Sequence, residues 1–142
     1  MQGPKAMSAR TAESAFSNDH VLGGRVALRQ PRKGYRAGLD AALLAAACDA
    51  ADGARVLDAG CGPGAALLPA AHRRPLTHFA GVERDPDALA LARENISANG
   101  LDGRVSAVAG DVTQRFSTLG LEPFDAVMSN PPFFDDPAAI RG

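Results

Sequence analysis

The chain has 142 residues, 46% of them hydrophobic and 22% charged, and a formal net charge of −1. That is the size and composition of one soluble globular domain with a real core. No apolar run approaches membrane-spanning length, and the polar start Met1 to Arg10 lacks the apolar segment of a signal peptide, so a cytoplasmic protein with no membrane contact is expected. Cys48 and Cys61 have no spacing that suggests a disulfide or a metal site and read as small buried residues. His20, His72 and His78 have no acidic or cysteine neighbour at ligand spacing, so they read as surface residues and no metal is expected. The charge is uneven: through Arg36 seven basic residues stand against Glu13 and Asp19, a balance of +5, and the remainder carries −6. Either a polyanion meets the N-terminal part or the stretch is a solvated basic hairpin.

Residues 1–15 read as a disordered lead-in, rich in small and polar types. From Phe16 to Gln30 the turn pair Gly23-Gly24 and the alternation of Val26, Leu28 and Gln30 with Ala27 and Arg29 predict a β-hairpin. A loop from Gln30 to Gly38 leads to a helix expected from Leu39 to about Ala51, with Leu39, Leu43, Leu44 and Ala47 on its apolar face and Gly53 closing it. Val56 and Leu57 end a buried parallel strand, and Gly60, Gly62 and Gly64 turn the backbone into a helix expected from Ala65 to His72-Arg73-Arg74-Pro75, where proline forbids continuation. A strand comes next, over His78 to Glu83. The clearest helix spans about 86–98: Asp85 is its N-cap, Pro86 its first turn, Leu89, Ala92 and Ile96 point inward, and Asn99-Gly100 stops it. Strands are expected at Val105 to Ala109 and Phe124 to Ser129, with a short helical or irregular piece around Gln114 to Leu119 between them. Strands alternating with helices demand right-handed crossovers and a mostly parallel α/β sheet.

In such a sheet ligands sit beyond the carboxyl ends of the strands, so the residues just past each strand are where chemistry is sought. The first strand end carries Asp58 and the glycine loop. Any Cβ there would block close approach of backbone to a ligand, and the next helix lends free N–H groups. Spelled Gly60-x-Gly62-x-x-Ala65, the loop also fits a dinucleotide fingerprint. Glu83 ends the second strand 25 residues after Asp58, near the spacing of about 20 at which an acid grips ribose hydroxyls; the alternative is an ordinary surface acid beside Arg84. Asp111 ends the third, where it can accept from an adenine amino group or simply cap a turn. Asn130-Pro131-Pro132-Phe133 ends the fourth. Two successive prolines can neither donate to a ladder nor continue a helix, so this is a rigid loop.

The acidic residue two positions before Gly60 resembles that of the class I S-adenosylmethionine-dependent methyltransferases. The Asn-Pro-Pro-Phe loop resembles the motif of amino methyltransferases acting on adenine N6, guanine N2 or glutamine amide. An exocyclic nitrogen is a poor nucleophile because its lone pair is delocalised. Asn130 Oδ1 and the Pro131 carbonyl can accept its two hydrogens and direct the lone pair, while Phe133 stacks on the planar group. Gln30-Pro31, Gly34 to Leu44, the glycine loop, Glu83, Asp111 and Asn130 to Phe134 together resemble the tRNA adenine-N6 methyltransferases that modify the adenine beside the valine tRNA anticodon. The likeness covers about Phe16 to Asp135.

That resemblance implies a Rossmann-like core of strand order 3-2-1-4, preceded by the hairpin and helix, and S-adenosyl-L-methionine as cofactor. The implied cofactor residues are Arg36, Gly38, Asp40, Asp58, Gly60, Cys61, Gly62, Gly64, Glu83, Arg84, Asp111, Val112 and Asn130; the implied catalytic set is Asn130, Pro131, Pro132 and Phe133. It divides the chain into a hairpin and helix over 16–53 and a cofactor-binding core over 54–142, makes tRNA the partner, and offers Arg25 to Arg36 as the phosphate contact. Members of the family continue through three more strands, so the chain reads as C-terminally truncated, with its fourth strand as a bare edge. Three other readings compete: a protein glutamine or another RNA base as acceptor, a non-catalytic cofactor- or RNA-binding module, and, more distantly, an NAD-binding domain.

Overall fold

The computed structural model describes residues 15–33, 38–114 and 119–130. The hairpin forms: β1 (Phe16–Val21) and β2 (Val26–Pro31) pair antiparallel. Leu22, Gly23 and Gly24 in the turn all take left-handed φ values of 53°, 63° and 87°, a conformation that glycine adopts without steric cost. Val26, Leu28 and Gln30 are buried and Ala27 and Arg29 half-buried, the alternation expected of a strand with one covered face. The expected lead-in lies outside the described residues except for Ala15, whose carbonyl accepts the Arg32 N–H at 3.0 Å.

α1 (Leu39–Ala47) departs from expectation in length and in face. Its buried residues are Ala41 and Ala45, while Leu39 and Leu43 are 72% and 58% exposed. The small alanines pack α1 against α2 (Leu67–Arg73), which leaves Leu39 and Leu43 outside, while Leu44 is half-buried against the core as expected. The helix ends early because its last carbonyls find other donors. Arg73 Nη1 donates to the Ala45 carbonyl at 2.8 Å and Arg74 Nε to that of Cys48 at 3.0 Å, and Cys48 turns extended. Cys48 is half-buried rather than buried; Cys61 is buried. α2 starts two residues later than expected, since Ala65 and Ala66 still belong to the turn out of the glycine loop. His20, His72 and His78 are exposed.

The central sheet joins β3 (Arg55–Ala59), β4 (His78–Glu83), β5 (Val105–Ala109) and β6 (Ala126–Ser129) in the order β5-β4-β3-β6, all parallel. This is the expected order 3-2-1-4. One face, bearing Val56, Phe79, Val105, Ala107 and Met128, belongs to the same core as buried residues of α2 and of α3 (Pro86–Ala98). Leu57, Ala80 and Val82, alternating with these, are buried from the other side, so Phe79 to Val82 of β4 reads as a continuous apolar run, as a strand covered on both faces does. α3 matches its expected span, with the Asp85 carboxylate accepting the Asp87 N–H at 3.3 Å and Gly100 left-handed after its end. β6 is two residues shorter than expected. Asp125 first exchanges hydrogen bonds with Arg55, N–H to carbonyl and N–H to carboxylate, both at 2.8 Å, which sets the register before the ladder begins. Among the described residues β6 pairs only with β3, and Val127 on it is 65% exposed. No described helix is long and apolar enough to cross a membrane.

Candidate active site

A parallel register puts all four carboxyl ends on one rim. Ala59 pairs with Val82 and with Ser129, and Glu83 with Ala109, so the residues that leave the strands emerge in the order Asp111, Glu83, glycine loop, Asn130. With neighbouring strands ~4.8 Å apart, that row spans roughly 14 Å. Ser129 Oγ donates to the Ala59 carbonyl at 3.2 Å and ties the start of the Asn130 segment to the glycine loop.

The loop is held from several sides. Gly60 and Cys61 N–H both donate to the Val82 carbonyl, at 2.8 and 3.0 Å, so the chain folds back over β4. Gly81 makes room for this return: a Cβ there would lie 2.6 Å from Cys61 Sγ and 2.8 Å from Cys61 Cβ. Glu83 clamps the rest, Oε1 accepting the Gly62 N–H and Oε2 the Asp85 N–H, each at 2.9 Å. Gly60 and Gly62 are left-handed, with φ of 74° and 55°, and a Cβ at either would meet nothing within 4 Å. These two glycines therefore present bare backbone to open space, the condition for close approach of a ligand.

The electrostatics of the row are uneven. Asp58 is 2% exposed, and burial, then the charge of Glu83, push its carboxyl up to about 7. The same two causes, with the charge of Asp58, push the Cys61 thiol well up, so it stays protonated and is a packing residue rather than a nucleophile. Asp111 is pulled the other way. Thr113 donates to its Oδ1 from the hydroxyl at 2.7 Å and the backbone at 2.9 Å, and these bonds, with Arg84 nearby, hold its carboxyl below the usual range. Asp111 thus closes a turn of its own, and Val112 within that turn is exposed. Chemically, the row offers bare backbone flanked by carboxylates, suited to a ligand with hydroxyl, amino and cationic groups.

Asp58, Gly60, Cys61, Gly62, Gly64, Glu83, Arg84, Asp111, Val112 and Asn130 all lie on or just beyond the strand ends. Gly38 and Asp40 lie in the exposed first turn of α1, and among the described residues no hydrogen bond ties them to the loop. Arg36, Pro131, Pro132 and Phe133 lie outside the described residues. Sequence reasoning missed Gly81, Thr113 and Asn95. The last was visible in principle, a polar residue beside Ile96 on the inward stripe of α3.

The family model of the methyltransferase small domain matches residues 36–141. The chain belongs to that family. Among relatives, it is 31% identical over 109 residues to the tRNA1(Val) (adenine(37)-N6)-methyltransferase of Flavobacteriaceae bacterium strain 3519-10, covering 76% of this chain and 46% of that protein. It is also 40% identical over 78 residues to the release factor glutamine methyltransferase of Caulobacter vibrioides, covering 55% and 26%. The crystal structure of TrmN from Thermus thermophilus superposes with a TM-score of 0.55 at 32% identity, over 65% of this chain and 27% of that one. This member of the family thus spans about half or less of the length of the curated relatives it matches.

Proposed function

We propose that this chain is the cofactor-binding part of an S-adenosylmethionine-dependent N-methyltransferase of the cytoplasm, acting on the N6 amino group of an adenine in tRNA. The observation that carries the reading is the single row of Asp111, Glu83, bare glycine loop and Asn130 along one sheet rim. S-adenosylmethionine, when bound, supplies a methyl group activated by its sulfonium. The residues present fit it. Glu83 already receives two backbone N–H groups, yet each of its oxygens keeps a second lone pair for a ribose hydroxyl. Asp111 would accept an adenine amino hydrogen, the loop backbone would hold the amino-acid part, and Asp58 would supply negative charge toward its cationic groups.

Asn130 stands where β6 leaves the sheet, beside the loop. Its amide oxygen accepts a hydrogen of the acceptor nitrogen and aims the lone pair; Pro131 and Phe133 supply the second acceptor and the stacking surface. No covalent enzyme intermediate is needed for a direct transfer of this kind. Arg25, Arg32 and Lys33 are exposed on the hairpin side and serve as phosphate contacts. Arg29 contributes less, since its guanidinium lies 5.0 Å over the Phe16 ring and 3.7 Å from Glu94.

Likeness to the glutamine methyltransferase of Caulobacter keeps one second reading open, a protein glutamine as acceptor. The two are separated by offering the full-length protein tRNA and a release-factor peptide side by side with labelled cofactor. Label in adenine N6 of tRNA supports adenine as the acceptor. Label only in the peptide replaces it with glutamine, and label in neither leaves the chain a binding module.

A further inference from the structure

Helix α3 carries two asparagines one turn apart that both reach the hairpin. Asn99 Oδ1 accepts the Ala27 N–H at 2.9 Å and its Nδ2 donates to the Ala27 carbonyl at 2.8 Å. Asn95 treats Arg29 the same way, accepting its N–H and donating to its carbonyl, both at 2.9 Å. A carboxamide offers the same donor and acceptor as a peptide group. Four residues along a helix rise about 6 Å and two along a strand about 6.7 Å, so the pair forms a two-rung ladder on the β2 edge away from β1. The next position on that edge, Pro31, has no N–H to satisfy.

Asn95 has one amide hydrogen left, and it donates to the carbonyl of Pro63 at 2.8 Å. Pro63 lies between the left-handed Gly62 and Gly64, and lacking an N–H it has only that carbonyl as a backbone hydrogen-bonding group. Asn95 is 2% exposed, so water cannot replace these bonds. Asn99 has no such reach: its remaining bond goes to the Asn95 carbonyl, within its own helix.

We infer that Asn95 is a positioning residue that couples the docking of the N-terminal hairpin to the conformation of the glycine loop. The inference rests on the reading of that loop as the cofactor cradle. Because β2 and Pro63 share one rigid amide, displacing the hairpin removes a restraint from the loop, and ordering the loop tightens the hairpin, a reciprocity that linkage requires. A polyanion gripping the basic hairpin and a cofactor seated in the loop then sense each other across a single side chain.

The test compares Asn95→Leu with Asn99→Leu. Both delete a hairpin rung with an apolar group of similar size, and both are expected to lower the melting temperature. Only Asn95→Leu is expected to shift the backbone amide resonances of Gly62 and Gly64 in the ligand-free protein and to weaken S-adenosylhomocysteine binding, about five- to tenfold for one buried hydrogen bond. Asn99→Leu should leave the Gly62 and Gly64 resonances in place and S-adenosylhomocysteine affinity within about twofold of wild type. If Asn95→Leu does not fold, Asn95→Ser is read in its place. Glycine resonances unmoved by the Asn95 variants, or moved equally by Asn99→Leu, would overturn the coupling. Should the wild-type protein not bind S-adenosylhomocysteine, the cofactor reading falls, while the resonances still decide the coupling.

Discussion

Asp58 sits where stability and binding pull in opposite directions. Its carboxyl is raised from 3.8 to about 7 in the fold, so between these values the native state holds a proton that the unfolded chain has released. The contribution of this residue to stability is therefore fully present below about pH 4 and lost as pH rises through about 7. Asp58→Asn should stabilise the ligand-free protein at pH 8 by on the order of 2 to 4 kcal/mol, with the gain vanishing at pH 4, read from melting curves across pH. A cation beside Asp58 restores the ionised form, so cofactor binding should release a proton near neutrality and tighten as pH rises; Asp58→Asn should abolish that dependence. Asn130 makes the complementary case. Removing its amide takes an acceptor from the reacting nitrogen. In the full-length enzyme Asn130→Ala is expected to cost about a hundredfold or more in turnover, by analogy with the 2.7 to 4 kcal/mol of one lost oxyanion-hole donor. Cofactor affinity should fall far less than turnover, since the glycine loop, Glu83 and Asp111 keep their places. A wild-type rate would make Asn130 part of a structural turn.

At the scale of elements, the structure divides labour between the hairpin and the sheet. The hairpin presents cations outward, and α3 anchors it through two asparagines. If Arg25, Arg32 and Lys33 meet tRNA phosphates, affinity should fall steeply with salt, and neutralising all three should flatten the slope of log affinity against log salt by up to about 2 to 3. An unchanged slope returns them to the solvated-hairpin reading. The elements also show which sequence signals could be trusted. β4, β5 and α3 were legible to the residue, because proline, glycine and capping aspartate punctuate them locally. The buried face of α1 was not. In Leu39–Ala47 nearly every position is apolar, so periodicity cannot choose a face, and the choice falls to alanines that let α2 come close. The early end of α1 and the firmness of α2 were equally hidden, since they depend on arginines distant in sequence. Arg104, for instance, donates to the carbonyls of Ala71, Arg74 and Thr77 at 2.6 to 3.2 Å.

At the scale of the molecule, the parallel register is what turns four separate strand ends into one candidate site. Asp58, the glycines, Glu83, Asp111 and Asn130 could be picked out singly from sequence, since each comes after an apolar run. Their clamps could not, because Glu83 to Gly62, Thr113 to Asp111 and Asn95 to Pro63 are set by tertiary placement. The central claim is that this rim binds S-adenosylmethionine, and titration calorimetry of the chain tests it most directly. S-adenosylhomocysteine is expected to bind one to one and NAD not at all. Glu83→Ala should weaken S-adenosylhomocysteine by roughly 1 to 3 kcal/mol, the worth of a charged hydrogen-bonding group. Tighter binding of NAD than of S-adenosylhomocysteine would contradict the account.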